Sequence, residues 1–414
     1  RSVMKRAVIT GMGIVSPLGN SVPETLAALQ ATRSGIQYQP LYEEVGLRSH
    51  IAGSIEIDQE ALIDRKLRRF MGDAAAFSYI ALKEALVDSG LEPDDISNER
   101  TGIVAGSGGA SSSNLIESAD ILREKGLKRV GPYRVTRTMS STVSACLATA
   151  FSIKGINYSI TSACSTSAHC IGHALEQIQL GKQDIVFAGG GEEEHWSMSA
   201  LFDAMGALST KRNQAPETAS RAFDADRDGF VIAGGAGFVI VEELEHAKAR
   251  GAKIYCEIGG QGLSSDGYHI AAPDPDGSGV QRAIKFALAN ANLSTKDIVH
   301  LNAHATSTPA GDVAEANALR KALGADADHV AVSATKSMTG HLLGGAGAIE
   351  SVFIVKALQD RLAPPTINID DLDPAVTVDV VRDKPRALPA GDIAALNDSF
   401  GFGGHNVVLA FKSL

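Results

Sequence analysis

The chain has 414 residues, of which 44% are hydrophobic and 21% charged, and its formal net charge is −10. This hydrophobic fraction excludes a disordered chain, the acidic balance argues against general nucleic-acid binding, and no apolar stretch reaches the ~18 to 20 residues of a membrane span. The four cysteines show neither a disulfide framework nor zinc-ligand spacing, so we expect no metal site and a reducing, cytoplasmic location.

Short apolar strands alternate with helical patterns through the first 250 residues. Strands are predicted over residues 5–11, 102–105, 157–162, 184–188 and 238–241, and helices over residues 23–33, 74–89 and 166–180. Gly-Met-Gly at residues 11–13 does not have the spacing of a dinucleotide-binding fingerprint, so we expect a tight structural turn there.

A second cycle of the same plan follows residue 251. Strands are predicted over residues 254–258, 298–303, 330–333, 394–397 and 406–411, and helices over residues 279–291, 309–323 and 344–358. The alternation of strands and helices indicates an α/β fold with buried sheets. The repetition of the plan suggests an internal duplication.

Cys164 is the most distinctive candidate for chemistry. It lies between a predicted strand and a predicted helix, in Ser-Ala-Cys-Ser-Thr at residues 162–166. Small neighbours allow a tight turn that exposes the sulfur, as in the nucleophile elbow of serine hydrolases, and a thiol at a helix N-terminus is expected to ionise easily. The pattern predicts a nucleophile, whereas Cys146, Cys170 and Cys256 are expected to be structural.

Two histidines and a lysine follow in the second half of the chain. His304 ends a predicted strand and begins His-Ala-Thr-Ser-Thr at residues 304–308, a position suited to a hydrogen-bond donor. Lys336 and His341 lie five residues apart, and a glycine precedes the histidine. Each residue alone is typical of a structural or exposed position, but together with Cys164 they indicate an active site.

A glycine-rich loop separates the last two predicted strands. Its sequence, Asn-Asp-Ser-Phe-Gly-Phe-Gly-Gly at residues 397–404, could hold a phosphate or offer backbone N–H groups to an oxyanion. With the segments around Cys164, His304 and Lys336, this loop resembles the signature set of the β-ketoacyl-[acyl-carrier-protein] synthases, the condensing enzymes of bacterial fatty-acid synthesis. The resemblance extends over residues 4–412.

Parts of the chain resemble different subfamilies. The first 255 residues are most similar to synthase I and the remainder is closer to synthase II, and Ala305 and His405 stand where the family more usually has Gly and Thr. The chain is either a natural divergent member or an engineered hybrid, and the resemblance leaves its acyl preference open.

The resemblance implies a thiolase-like α/β fold of αβαβα layers, built from two similar halves, and a homodimer. Residues 4–255 would form the N-terminal half with the nucleophile, residues 256–414 would form the C-terminal half with the histidines, and residues 1–3 are expected to be a cloning remnant. The implied reaction is a ping-pong, decarboxylative Claisen condensation. Cys164 accepts an acyl group from acyl carrier protein, malonyl carrier protein loses CO2, and the enolate attacks the acyl thioester to give 3-oxoacyl carrier protein. No cofactor is implied, because the substrates carry phosphopantetheine.

The resemblance also implies roles for the residues of the second half. His304 and His341 would donate hydrogen bonds to the malonyl thioester oxygen, where negative charge develops. Lys336 would not touch the substrate but, paired with Glu350, would maintain the local field.

Further implied roles concern the loops. The backbone N–H groups of Cys164 and Phe400 would form an oxyanion hole, and Phe400 would gate acyl access. Asp312 and Glu315 would organise the loop around the first histidine.

The remaining implied sites bind the substrates. Thr306 and Thr308 would bind the pantetheine arm. An apolar acyl tunnel is expected to be lined by Gly109, Met198, Phe202 and Phe402, with Met139 contributed by the partner subunit. The acidic carrier protein would dock on basic residues, for which the candidates are Lys66, Arg69, Lys125, Lys128 and Arg129.

Three other interpretations compete. A thiolase- or polyketide-type condensing enzyme would use the same fold with coenzyme A thioesters, but with Cys-His or His-Asn partners. A cysteine hydrolase would explain Cys164 and one histidine, but not the second histidine and Lys336. A non-catalytic binding module would be expected to lack the cysteine.

Overall fold

A ten-stranded sheet is the framework of the molecule, and the computed structural model describes residues 4–414. The expected cloning remnant at residues 1–3 lies outside the described residues. The strands are β1 (Ala7–Val15), β2 (Ile36–Tyr38), β3 (Ile51–Gly53), β4 (Thr101–Gly106), β5 (Asn157–Tyr158), β6 (Ile185–Glu192), β7 (Gly235–Glu243), β8 (Cys256–Ser265), β9 (Ile298–Asn302), β10 (Ala331–Ser333), β11 (Leu362–Ala363), β12 (Arg386–Ala387), β13 (Ala394–Gly401) and β14 (His405–Lys412).

Helices of 4 to 17 residues connect the strands. The α-helices are α1 (Val22–Gln30), α2 (Pro40–Glu44), α3 (Gln59–Leu62), α4 (Arg65–Arg68), α5 (Asp73–Ser89), α6 (Pro93–Ile96), α7 (Ser112–Lys125), α8 (Leu127–Val130), α9 (Arg134–Thr138), α10 (Thr142–Ala150), α11 (Thr166–Gln179), α12 (Trp196–Ala204), α13 (Leu244–Ala249), α14 (Ser278–Asn290), α15 (Pro309–Leu323), α16 (Lys336–Thr339) and α17 (Ala346–Asp360). Short 3₁₀ turns lie at Ala163–Ser165, Pro216–Thr218, Thr295–Asp297, Gly324–His329 and Leu343–Gly345. No helix among residues 4–414 is long and apolar enough to cross a membrane.

The sheet contains the same topology twice. Its order is β5-β4-β6-β7-β1 in one half and β8-β14-β13-β9-β10 in the other, and an antiparallel contact between β1 and β8 joins the halves. In each half the first strand in chain order pairs antiparallel with the fifth, and the fifth pairs antiparallel with the fourth. The fourth and third strands both pair parallel with the second. The expected α/β fold with two similar halves is therefore confirmed.

Buried helices lie between the two halves of the sheet. Helices α11 and α17 contact strands of both halves, whereas α5 packs on the first half alone and α14 on the second. Nearly every strand residue of β1, β6 and β14 is buried, as expected for sheets covered on both faces. The order of layers is helix, sheet, helix, sheet, helix, which is the αβαβα arrangement that the resemblance implied.

The tight turn predicted at residues 11–13 is wrong, because β1 continues through it. A Cβ atom on Gly13 would lie 1.8 Å from the carbonyl oxygen of Ala81, and one on Gly11 would lie 2.5 Å from that of Ala85. These glycines therefore let α5 lie directly against the strand. Helix α7 was not predicted, and none of its residues is buried, so it lacks the apolar periodicity on which such predictions depend.

Candidate active site

The carboxyl ends of parallel strands from both halves converge on one cavity of about 450 Å³. Cys164 follows β5, His304 follows β9 and Lys336 follows β10, the edge at which open α/β sheets bind ligands. The predicted site residues that line the cavity are Cys164, His304, His341, Phe400, Thr306, Thr308, Phe202 and Phe402, together with Glu315. Residues separated by more than 200 positions in the sequence thus share one site.

Cys164 lies in a strained turn before α11. The preceding residue, Ala163, has a φ of 53°, in the left-handed region that residues other than glycine rarely adopt. The cysteine is 9% exposed. The expectation that this thiol ionises easily is wrong, because burial raises the pKa of Cys164 to about 12. The charge on Lys336 acts in the opposite direction but does not outweigh the loss of water.

The backbone N–H groups of Cys164 and Phe402 lower the pKa of the Cys164 thiol, against the larger effect of burial. The resemblance implied Phe400 for the second of these groups. Strand β13 continues as far as Gly401, so the backbone of Phe400 is paired with Asn406 in the sheet, and the turn that faces the cysteine begins only at Phe402. The amides of Cys164 and Phe402 are therefore the candidates for an oxyanion hole. The ring of Phe400 lies against His304, with centroids 5.5 Å apart.

The rings of His304 and His341 lie edge to face, with centroids 5.4 Å apart. The Leu343 N–H donates to Nδ1 of His341 over 3.2 Å, and Lys336 Nζ lies 3.5 Å from Nδ1 of His304. With Nδ1 accepting, the ring proton of each neutral histidine is on Nε2. Loss of water, reinforced by the Lys336 charge, lowers the pKa of both histidines well below the ordinary value. Each ring is therefore neutral with one N–H left to donate.

Lys336 is paired with Glu350, as the resemblance implied. Both residues are 1% exposed, and Nζ lies 2.9 Å from the carboxylate. The ammonium also donates to the backbone carbonyl of His304 over 2.8 Å. Burial raises the pKa of Glu350 to about 7, although the charge on Lys336 opposes this rise.

Two buried carboxylates hold the loop after β9. Glu315 accepts from the backbone N–H groups of His304 and Ala305, over 2.9 and 2.7 Å. Asp312 accepts from the N–H of Ser307 over 3.1 Å. These contacts match the loop-organising role that the resemblance implied for both residues.

Sequence reasoning missed two buried acids at the site. Asp398 is fully buried against Glu315, and burial together with that neighbouring carboxyl raises the pKa of Asp398 well above its ordinary value. Burial beside a second carboxyl therefore favours the neutral form of Asp398. Glu192 ends β6 and is 1% exposed. An acidic residue beside a recognised motif was the available signal for Asp398, whereas nothing local distinguishes Glu192 from the glutamates that follow it.

Of the residues expected to line the acyl tunnel, Phe202 and Phe402 line the cavity, whereas Gly109 and Met198 do not. The ring of Phe202 lies 6.0 Å from that of Phe402 at the cavity. A Cβ atom on Gly109 would lie 2.1 Å from the Met198 Cε, so the absence of a side chain makes room for that methionine. Met139 is half-buried at the end of α9 and does not line the cavity of its own chain.

The candidate docking residues lie outside the cavity on α4, α7 and α8 or beside them. The side chain of Arg69 lies over the rings of Phe70 and Tyr133, with its guanidinium 5.2 and 5.1 Å from their centroids. The five basic residues are all exposed: Lys66, Arg69, Lys125, Lys128 and Arg129. Their part in docking stays a prediction.

Within residues 4–414, no group of three or more His, Cys, Asp or Glu side chains is arranged to hold a metal ion.

Comparison with known proteins places this geometry in a family. The model of the β-ketoacyl synthase N-terminal domain matches residues 4–247, and that of the C-terminal domain matches residues 255–370. The 3-oxoacyl-[acyl-carrier-protein] synthase 1 of Haemophilus influenzae is 52% identical over 412 residues, which cover 99% of each chain. The synthase 1 of Escherichia coli is also 52% identical, over 99% of this chain and 100% of its own. The synthase 2 of Vibrio cholerae is 43% identical, over 99% of both.

Solved structures show the same fold. A β-ketoacyl synthase from Burkholderia phymatum superposes with a TM-score of 0.92 at 37% identity, covering 99% of this chain and 100% of its own. A ketosynthase solved in complex with its type II polyketide acyl carrier protein superposes with a TM-score of 0.91 at 30% identity, over the same shares of the two chains.

Proposed function

The chain belongs to the β-ketoacyl synthase family, and we propose that the cavity around Cys164 is where it performs its condensation. The enzyme is an acyltransferase of fatty-acid elongation, which joins acyl-[acyl carrier protein] to malonyl-[acyl carrier protein]. The products are 3-oxoacyl-[acyl carrier protein], CO2 and free carrier protein. The observation that supports the site is the convergence of one thiol and two neutral histidine donors on a single cavity.

The first half-reaction moves the acyl group onto Cys164. The sulfur attacks the thioester carbonyl of the acyl carrier protein, and the backbone N–H groups of Cys164 and Phe402 stabilise the oxyanion that forms. The bond to the carrier-protein sulfur then breaks. The proton that Cys164 loses ends on the departing pantetheine thiol, so a thiol with a pKa of about 12 can begin the cycle protonated.

The second half-reaction is decarboxylation followed by carbon–carbon bond formation. As the malonyl carboxylate leaves as CO2, negative charge develops on the thioester oxygen. His304 and His341 each present an Nε2–H to that oxygen. Removing a donor of this kind raises the activation barrier by about 2.7 to 4 kcal/mol. The enolate carbon attacks the acyl thioester, the bond to Cys164 breaks, and the released sulfur takes a proton from solvent.

The charge around the two histidines keeps their rings neutral. A protonated His304 would lie beside the Lys336 ammonium, which disfavours a second positive charge. Lys336 also holds the backbone of His304 through its carbonyl. Lys336 is therefore proposed as a positioning residue, and the buried Glu350 compensates its charge.

The substrates are proposed to arrive on acyl carrier protein. The hydroxyls of Thr306 and Thr308 lie 3.2 Å apart on the cavity wall, where they can bind the amides of a pantetheine arm. The solved ketosynthase complex with an acyl carrier protein supports this partner. An acidic carrier would be attracted to the basic residues that begin with Lys66 and Arg69.

Assembly as a homodimer is also proposed. Among residues 4–414, strand β5 forms an unpaired edge of the ten-stranded sheet, and such edges are templates for pairing with another chain. Helices α7, α8 and α9 expose large apolar side chains, a feature of interaction surfaces: Leu115, Leu122, Leu127 and Val135. A molar mass in solution of twice the chain mass would support the dimer.

Cofactor use and location complete the proposal. The condensation needs no resident cofactor, because pantetheine arrives with each substrate. A cytoplasmic location is favoured because all four cysteines are unpaired and buried, as is typical of proteins from reducing compartments.

Intact-mass measurement of the purified enzyme tests this function. Acyl carrier protein loaded with fatty acyl chains should add one acyl group at Cys164, and malonyl carrier protein should then remove it as a 3-oxoacyl product. A panel of saturated and unsaturated chains would define the acyl preference. Equal turnover of coenzyme A thioesters and carrier-protein thioesters would contradict the proposed partner, and hydrolysis without a longer product would contradict the condensation.

A further inference from the structure

Glu192 is a buried carboxylate for which the proposed reaction has no role. It ends strand β6, beside the cavity, and its oxygens accept four hydrogen bonds. Ser107 Oγ donates over 2.5 Å, and the backbone N–H groups of Gly108, Gly109 and Gly344 donate over 2.9, 3.1 and 3.1 Å. Four donors on two oxygens satisfy an ionised carboxylate.

These donors come from both halves of the molecule. Gly108 follows β4 in the first half, whereas Gly344 belongs to the 3₁₀ turn Leu343–Gly345 in the second half. A Cβ atom on Gly344 would lie 2.5 Å from the nitrogen of Gly108, and one on Gly108 would lie 2.6 Å from a Glu192 oxygen. The two loops can therefore close around the carboxylate only because both positions are glycine.

The turn held by Glu192 is also the turn that orients His341. Leu343 has a φ of 51°, a left-handed conformation that is strained for leucine and persists only when its surroundings hold it. Its N–H donates to Nδ1 of His341. The next N–H along the chain, that of Gly344, is the one that Glu192 binds.

We propose that Glu192 is a positioning residue for the decarboxylation step. By holding Gly344 against Gly108, it keeps the Leu343 N–H on Nδ1 of His341, so that the Nε2–H of that ring points at the malonyl thioester oxygen. This inference rests on the proposed function, because it assigns Glu192 an effect on one step of that reaction.

Glu192 also acts on the nucleophile through its charge. Its negative charge raises the pKa of the Cys164 thiol, and burial raises the pKa of Glu192 itself to about 7. Removing the charge is therefore expected to make Cys164 more reactive toward alkylation, even where removing the contacts slows decarboxylation. A residue that served only the stability of the fold would not move these two quantities in opposite directions.

Three substitutions separate contact from charge. Glu192→Ala removes both, Glu192→Gln keeps an acceptor oxygen for Gly344 but removes the charge, and Glu192→Asp keeps the charge but is one methylene too short to reach across. Glu193→Ala is the matched control. Glu193 is equally buried and accepts from the backbone and side chain of Ser113, but it has no bond to the histidine turn. Each variant is assayed for CO2 release from malonyl carrier protein, for iodoacetamide alkylation of Cys164 at pH 8, and for thermal unfolding.

CO2 release is expected to fall at least about tenfold in Glu192→Ala and Glu192→Asp, because a small displacement of a catalytic donor lowers the reaction rate strongly. It should stay within about threefold of the unaltered enzyme in Glu192→Gln and Glu193→Ala. Alkylation should be faster in Glu192→Ala and Glu192→Gln and unchanged in Glu192→Asp. If the alanine variant fails to fold, the contrast between Glu192→Gln and Glu192→Asp still separates the effect of the charge from that of the contacts.

Three results would overturn the inference: undiminished CO2 release in Glu192→Asp, an equal fall in Glu192→Gln, or an equal fall in the Glu193 control at matched stability. Absence of CO2 release from the unaltered enzyme would instead refute the proposed function, and this inference with it.

Discussion

Replacement of Lys336 by methionine is expected to weaken the fold as well as the chemistry. Lys336 and Glu350 are both 1% exposed and 2.9 Å apart, so the substitution leaves a carboxylate without its counter-charge in the interior. Breaking a buried pair in this way costs about 3 to 5 kcal/mol in the free energy of unfolding. An exposed pair would lose less than about 1 kcal/mol.

The pH dependence of that cost follows from Glu350. Its pKa in the folded enzyme is about 7, above its ordinary value, so its contribution to stability is largest below the ordinary value and is lost as the pH rises toward 7. Without Lys336, which lowers this pKa, the loss continues above pH 7. The stability difference between the enzyme and Lys336→Met should therefore be larger at pH 8 than at pH 6.

Urea unfolding of both proteins at the two pH values measures this difference, with Lys336→Met/Glu350→Gln as the control. The double variant also removes the Glu350 carboxylate that loses its partner, so it should recover much of the stability. It should not recover CO2 release, because the ammonium that holds His304 is still absent. A loss below about 1 kcal/mol, a larger loss at pH 6, or recovered CO2 release in the double variant would refute the reasoning.

Three other predictions concern the site and its surroundings. His304→Ala or His341→Ala should lower CO2 release from malonyl carrier protein about 10² to 10³-fold, as loss of an oxyanion donor does; an unchanged rate would remove that ring from the mechanism. A small thiol-reactive electrophile should modify Cys164 alone, as read by peptide mapping, and labelling of another cysteine would count against the assignment. Lys66→Glu with Arg69→Glu should raise KM for carrier-protein substrates but not for small thioesters, in a salt-dependent way. An equal rise for both would exclude docking at this surface.

The reactive side chains could be predicted because each lies in a short sequence motif that is recognisable by itself. Cys164 between a strand and a helix, and His304 at the end of a strand, are recognisable in ten residues of sequence each. Parallel strands place such positions at one edge of a sheet. The structure accordingly brings Cys164, His304 and His341 to one cavity.

The features that could not be predicted depend on contacts between residues that are far apart in the sequence. Burial raises the pKa of Cys164, and the largest opposing effect is the charge on Lys336, which lies far away in the sequence. The amide that faces the thiol belongs to Phe402 because β13 is longer than its apolar pattern indicated. Glu192 could not be recognised, because its partners Gly108 and Gly344 are 84 and 152 positions away.

The most direct measurement of the central claim is the separation of the two half-reactions in Cys164→Ala. The claim is that the thiol carries the acyl group and that the two histidines stabilise the enolate independently of it. The variant should therefore form no acyl-enzyme and no 3-oxoacyl product, while still releasing CO2 from malonyl carrier protein. Continued formation of the 3-oxoacyl product by Cys164→Ala, or loss of CO2 release together with condensation in a folded variant, would contradict the account.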